Sequence, residues 1–407
     1  YLRRIEYMIL FFVAFSSVKK QRDLIIYLVT LGITLFSLII YGFGQKFYVV
    51  LWNFFPDFFK HNPFCFPAFL TGNEEFAKGT PLCLGELSRI SSTFGGHYDL
   101  AAYLVFVIPI FIALFIAVKR WYLRIAIALL VILALEMLNF TSSRTSFAAY
   151  LVGIMGMLII WKKKWWIIPV MIVSMGVLFF FSTSTLQRFA KTIQPVQVLQ
   201  MQPGANPDIQ AAISKTKETQ EKKHSSTPPP GTVTVGSSST TDLASSSGQV
   251  LTDADLESLL QNNINISSDS GAFLLKKAYA LDISFTTRFQ AEWPRNWNAF
   301  LNSPVFGTGY SSLTLATDND YLRALGETGL AGLLSFLFIF VILGIFMKRT
   351  VRSIEDPVTG AFLFGLVGGV IGLLMNAFLI DVFEASKVAE PLWLLLGIGV
   401  GAAKLQQ

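Results

Sequence analysis

Arg144, Arg288 and Asp318 are the residues whose types and settings point most directly to chemistry. Arg144 sits in Ser142-Ser143-Arg144-Thr145-Ser146, between two long apolar runs, where a charge is costly unless it is paired or at an interface. Arg288 lies among aromatics that recur every four residues, Phe285, Phe289, Trp293 and Trp297, with Glu292 and Arg295 on a neighbouring helical face. A guanidinium stays charged and presents a fixed fork of donors that matches phosphate oxygens. Asp318 opens Asp318-Asn319-Asp320-Tyr321, and a carboxylate with a suitable pKa takes the proton from an attacking hydroxyl. Arg89 and His97, at the entrance to another apolar run, are further candidates, with Arg295 and Tyr321 beside the main ones.

Structural readings stand beside each of these. Arg144 also fits an arginine snorkelling to a membrane interface. Arg89 fits an ordinary loop charge, and His97 a structural histidine. Asp318 and Asn319 fit a helix N-cap that favours the helix dipole. Tyr321 fits packing, and Arg288 with Glu292 a solvated helical pair. Two Asp-x-Asp patterns, Asp253-Ala254-Asp255 and Asp318-Asn319-Asp320, are short enough to arise by chance, and carry no metal or cofactor assignment. Zinc-ligand spacing, a phosphate-binding P-loop and a Gly-x-Ser-x-Gly elbow are absent from the sequence. Glu136 interrupts an apolar run and carries no assigned role.

The elements that must position these residues are transmembrane helices. Of 407 residues, 53% are hydrophobic and only 14% charged, against about 25% charged in a soluble domain. Apolar runs near 23–43, 98–118, 122–140, 145–161, 165–182, 328–347, 359–380 and 391–404 approach the roughly 20 residues needed to cross a bilayer. The expected fold is an all-α polytopic helix bundle. The chain starts Tyr1-Leu2-Arg3-Arg4 and its first apolar run, Tyr7 to Val18, is short for a span, which predicts preceding helices.

Short basic clusters alternate with the runs. Lys19, Lys20, Arg22, Lys119, Arg120, Arg124, Lys162, Lys163, Lys164, Lys348, Arg349, Arg352 and Lys404 fall on one side, and only Arg144 and Lys387 in the short loops of the other. The positive-inside rule makes the first side cytoplasmic. The net charge of +6 then reports topology and not nucleic-acid binding.

This divides the chain into N-terminal helices at 1–182 with an outer loop at 44–97, a large outer segment at 183–327, and C-terminal helices at 328–407. Cys65 and Cys83 share the first loop, either as a disulfide or as two free thiols. Within the large segment, 203–270 is mostly low in complexity, with Pro228-Pro229-Pro230 and Ser237-Ser238-Ser239, and is expected to be largely disordered. Asn265-Ile266-Ser267 matches a glycosylation acceptor pattern by chance frequency. Residues 281–300 read as an amphipathic helix at the membrane interface, with Pro294 expected to end or kink it.

Three stretches, in order, resemble the bacterial O-antigen ligase and polymerase superfamily. They are Ser92-Thr93-Phe94-Gly95-Gly96-His97-Tyr98-Asp99, then Ser142-Ser143-Arg144-Thr145-Ser146, then Arg288 and Trp297 continuing through Pro304-Val305-Phe306-Gly307-Thr308-Gly309 to Asp318-Asn319-Asp320-Tyr321-Leu322-Arg323-Ala324-Leu325-Gly326-Glu327-Thr328-Gly329. The resemblance implies a bundle in the bacterial cytoplasmic membrane that moves a glycan from an undecaprenyl-diphosphate carrier to an acceptor hydroxyl on a glycan or lipid, on the outer face. It implies arginines on the diphosphate, here Arg144, Arg288 and Arg89, and neither a metal nor a nucleotide sugar. Where the family carries a histidine said to activate the acceptor, this sequence has Asp318. A transporter or flippase of lipid-linked saccharides is the competing reading, but no internal repeat supports it. A structural scaffold would leave the polar cluster without a purpose.

Overall fold

The computed structural model describes residues 2–54, 89–181, 193–201, 250–251, 273–281, 288–313, 317–351 and 354–406. Cys65, Cys83, Phe285, Asp253, Asp255 and Asn265 lie outside the described residues. The chain divides into two units, one of residues 1–190 with 283–407 and one of Lys191–Asp282.

The larger unit is an all-α bundle: α1 (Leu2–Ser17), α2 (Gln21–Phe54), α3 (His97–Ala117), α4 (Trp121–Phe140), α5 (Arg144–Ile160), α6 (Ile167–Phe181), α7 (Trp293–Asn302), α8 (Asp320–Thr350), α9 (Pro357–Asn376) and α10 (Ser386–Lys404). Six of these, α2, α3, α4, α8, α9 and α10, are long and apolar enough to cross a membrane. The chain is a multi-pass membrane protein.

The bundle centre is α3, α5 and α9, packed through small residues. α9 carries Gly365, Gly368, Gly369 and Gly372. A Cβ at Gly369 would stand 2.2 Å from the Phe106 carbonyl oxygen, and one at Gly153 2.6 Å from that of Gly368. Lipid offers helices no hydrophobic drive to associate, so close backbone approach and van der Waals packing hold them.

Apolar residues alone place the spans, but the polar ends decide their limits. α2 continues past residue 43 to Phe54, into the stretch read from sequence as loop. Within that continuation Gln45 is buried and bonds Ser92 through both its amide oxygen and its amide nitrogen. α8 begins at Asp320 and not at residue 328, and it is broken at Gly329, whose φ is 67°. At that break segment 304–309 replaces the missing helical bonds. The Leu330 and Ala331 amides donate to the Pro304 and Val305 carbonyls, and the Thr308 and Gly309 amides donate to those of Gly326 and Glu327. The approach leaves no room for side chains: a Cβ at Gly329 would lie 2.4 Å from the Val305 oxygen, and one at Gly307, itself at φ 73°, 2.4 Å from the Glu327 backbone.

The single amphipathic helix expected at 281–300 is two elements. Arg288–Glu292 is a π-turn, and α7 starts afresh at Trp293 with Pro294 in its first turn, where a missing N–H costs nothing. Phe289, Trp297, Leu301 and Phe306 are exposed, as an interfacial aromatic surface requires.

In the second unit the described residues form a three-stranded antiparallel sheet, β1 (Ile193–Met201), β2 (Val250–Leu251) and β3 (Phe273–Leu281), in the order β2-β1-β3. Pro195, opposite Tyr279, lies where β1 has a partner on one side only, which tolerates a residue without an N–H.

Candidate functional site

The described helices of the larger unit expose two chemically different ends. Lys119, Lys162, Lys163, Lys348 and Lys404 mark one, all exposed. The sequence-selected site residues gather at the other. Its segments are tied by hydrogen bonds across long stretches of chain: the Ile90 amide to the Phe140 carbonyl, the Ser146 hydroxyl to Asn376 Oδ1 at 3.2 Å, the Asp320 amide to the Ala377 carbonyl at 3.0 Å, and the Lys387 ammonium to the Thr93 carbonyl.

The centre is Arg288 with Asp318. Arg288, only 3% exposed, donates from Nε at 3.0 Å and from a terminal nitrogen at 2.8 Å, both to Asp318 Oδ2. The π-turn places the guanidinium on Asp318, and its charge also acts on the Glu292 carboxyl. Asp318 Oδ1 takes no hydrogen bond among the described residues, and the side chain is 30% exposed, so this oxygen remains open to a second partner. Burial raises the Asp318 carboxyl above its ordinary range, against the pull of the Arg288 charge. Glu292 stands in the same field. Burial first, and then the Asp318 charge, pushes its carboxyl up to about 7, while Arg288 and Arg295 pull it down. Its Oε2 is buried without a hydrogen bond among the described residues.

Asp318 occupies the left-handed region, φ 48°, uncommon for a residue with a Cβ although aspartate is among those that tolerate it. The turn is gripped from outside. Asp381 accepts from the Thr317 amide at 3.1 Å and the Asn319 amide at 3.0 Å, on either side of Asp318. Asp320 returns the grip, its Oδ2 accepting from the Val382 amide at 2.7 Å and the Phe383 amide at 3.2 Å. Two segments some sixty residues apart thus cap each other with carboxylates. Arg323 bonds Asp381 at 2.9 Å and pairs with Glu327 at 3.4 Å, which offsets part of the negative charge gathered there.

The remaining candidates hold distinct places. Asn319 caps α8, its carboxamide oxygen accepting the Tyr321 and Leu322 amides at 3.0 Å. Tyr321 donates its hydroxyl to the Leu374 carbonyl at 2.6 Å and packs on Phe378. Arg295 lies in the first turn of α7, near enough to Glu292 to act on its carboxyl. Arg89 and His97 meet at 2.7 Å, and since a guanidinium only donates, the histidine Nε2 accepts and the ring is neutral. Arg144 is the first residue of α5, half-buried, behind the Ser143 cap. A cation there opposes the helix dipole, which an anion would favour. Ser146 and Asp320 belong to the interhelical bonds through Asn376 and Ala377, and Arg144 and Asp318 each lie within two residues of them. Glu136 is buried in α4, one turn short of this end.

Sequence reasoning missed Asp381, and it read Asp320 only as half of a metal-type pattern. The signal available was Asp381 and Glu384 standing in an otherwise apolar connection between α9 and α10.

The fold is that of a multi-pass membrane bundle with a buried arginine–carboxylate pair at one end. The sequence profile of the O-antigen ligase family matches residues 129–337, just over half of the chain, and the chain belongs to that family. Membership gives it an O-antigen ligase-type role in glycan transfer, acting on lipid-linked glycans. No curated protein and no solved structure matches the chain. The matched span contains Arg144, Arg288 and Asp318, and leaves Arg89, His97 and Asp381 outside it.

Proposed function

We propose that the chain transfers a glycan from an undecaprenyl-diphosphate carrier to an acceptor hydroxyl on the outer face of the bacterial cytoplasmic membrane, as ligase or polymerase. The basic end then faces the cytoplasm, and the segment at 183–327 faces outward with the site. The acceptor oxygen forms the new bond to the sugar's anomeric carbon, and the bond from that carbon to the diphosphate oxygen breaks. The proton passes to Asp318, and the carrier diphosphate leaves. Arg288 and Arg144 hold that leaving group, whose charge grows as the bond breaks, and fixed donors aimed at developing charge are a large source of rate. Asn319 sets Asp318 by capping α8, and Arg295, Arg89, His97 and Tyr321 line the donor and acceptor glycans. The carriers' charge balance is met by arginines, so the reaction proceeds without a metal.

The observation that carries this reading is the Arg288–Asp318 contact: a buried guanidinium whose carboxylate partner keeps one oxygen open at the membrane end of α8. Transfer from a purified undecaprenyl-diphosphate glycan, with Arg288→Ala and Asp318→Ala beside the wild type, tests it. Loss of transfer in both is expected, and unchanged transfer in both removes the assignment. An elongated carrier-linked chain as product marks a polymerase, and a capped acceptor a ligase.

A further inference from the structure

An apolar cavity of about 1050 Å³ opens between α8 and α9 at the basic end and runs along α9 to Leu374, whose carbonyl accepts the Tyr321 hydroxyl near the other end. It is as large as the largest typical small-molecule pockets, roughly 1,000 Å³. Its walls are Phe340, Leu343 and Met347 of α8 and Phe364, Val367 and Val370 of α9, with Trp161 stacked on Phe364 at 5.1 Å. Gly344 also lines it, and a Cβ there would meet nothing within 4 Å, so the space begins at the backbone of α8. Along α9 it runs from Pro357 to Leu374, about 25 Å at 1.5 Å per residue. That exceeds the depth of one leaflet, half of the roughly 30 Å hydrocarbon core.

The mouth is polar and mainly cationic. Lys162, Lys163 and Lys348 line it with Glu355 and Asp356. Asp356 also caps α9, its Oδ2 accepting the Thr359 amide and hydroxyl, both at 2.7 Å. Three exposed ammonium groups therefore face two carboxylates, and the mouth keeps a net positive charge.

We infer that this cavity is a binding site for an anionic phospholipid of the leaflet at the basic end, with its headgroup on Lys162, Lys163 and Lys348 and its acyl chains between α8 and α9. Basic pockets between transmembrane helices recognise anionic headgroups in this way. The position of the charges selects the occupant. A carrier lipid held by its diphosphate at Arg288 has its anionic group at the opposite end of α8, whereas the cations here require a headgroup in this leaflet. The inference does not depend on the proposed reaction.

The full chain in nanodiscs of phosphatidylcholine, doped with acyl-brominated phosphatidylglycerol or acyl-brominated phosphatidylcholine, tests it by tryptophan quenching. The Trp161 contribution among the eight tryptophans is isolated by subtracting a Trp161→Phe variant. Half-quenching of Trp161 is expected at about fivefold lower brominated phosphatidylglycerol than phosphatidylcholine, as a mouth with about one net positive charge predicts. Combined Lys162→Gln, Lys163→Gln and Lys348→Gln should erase that preference while leaving quenching by both lipids. Gly344→Phe, whose Cβ meets nothing within 4 Å and whose ring takes up part of the space, should weaken quenching by both. Equal quenching by the two lipids in the wild type would overturn the inference, as would a preference that survives the triple substitution. So would displacement of brominated phosphatidylglycerol by undecaprenyl phosphate at lower concentration than by unlabelled phosphatidylglycerol, which would hand the groove to the carrier.

Discussion

The two ends of the bundle carry similar numbers of charges and use them in opposite ways. At the basic end, Lys19, Lys20, Arg22, Lys119, Arg120, Lys164, Arg349 and Lys404 are all exposed. Exposed cations interact weakly and are screened by salt, so they orient a chain in a membrane without fixing any local geometry. At the site end, Arg288 is 3% exposed, Glu327 2% and Asp381 14%, and each takes part in ion pairs or hydrogen bonds to backbone amides. Buried charges are expensive unless fully satisfied. Removing Asp381 there leaves Arg323 and two backbone amides without the carboxylate that they bond.

The largest expected effect of breaking this contrast is at Arg288. Arg288→Ala takes away the donors opposite Asp318 and should lower the transfer rate by about 10²–10³-fold, the usual effect of deleting one preorganised charge-stabilising donor. Arg288→Lys should recover little, because a single ammonium cannot reproduce the two contacts to Oδ2 at 3.0 and 2.8 Å. Initial rates with a fixed carrier-linked donor measure both.

Next comes Asp381. Asp381→Asn keeps the shape but removes the charge that receives two amides and Arg323, which should lower unfolding stability by about 2 kcal/mol, as for hydrogen bonds to charged groups. Thermal unfolding in detergent checks this. Equal melting of Asp381→Asn and the wild type would show that the two segments around residues 318 and 381 do not depend on each other.

Glu292 gives a smaller, pH-dependent effect. Its carboxyl sits near 7 in the folded chain, against an ordinary 4.5. Between these values the unfolded chain has already released the proton that the folded chain retains, so this group's contribution to stability is complete below about 4.5 and falls as pH rises to about 7. The melting temperature of the wild type should decline across that interval more steeply than that of Glu292→Gln. Parallel curves would mean that Glu292 ionises normally.

How much of this was legible in the sequence follows the same contrast. The apolar runs and the basic clusters are local signals, and both the spans and the two unlike ends can be read from them. Arg144, Arg288 and Asp318 were legible as types, because charge at a membrane edge is rare enough to notice. Their partners were not. Four-residue spacing offered Glu292 as one partner for Arg288, and it could not show that the π-turn before Pro294 brings the guanidinium to Asp318. Asp381 was invisible because no periodicity links it to Thr317 and Asn319, more than sixty residues earlier. The break of α8 was hidden by an apolar run that continues on its far side, and only Gly307 and Gly329 hinted that two backbones approach there.

The smallest expected effect sharpens the comparison from the other end. Lys119 is exposed and follows α3, and it lines neither the site nor the cavity. Lys119→Gln should change unfolding stability by no more than about 0.5 kcal/mol, the usual scale for surface substitutions, and leave the transfer rate unchanged. Its consequence should be seen only in orientation, since short cytoplasmic loops are counted by their basic residues. Several such clusters act together, so a single substitution should not invert the chain, whereas neutralising Lys119, Arg120 and Arg124 together should raise the inverted fraction, measured by labelling an introduced cysteine from each side of sealed vesicles. An Arg288-like loss of transfer from Lys119→Gln alone would mean that the basic end shapes the site after all, and the division of labour between the two ends would have to be abandoned.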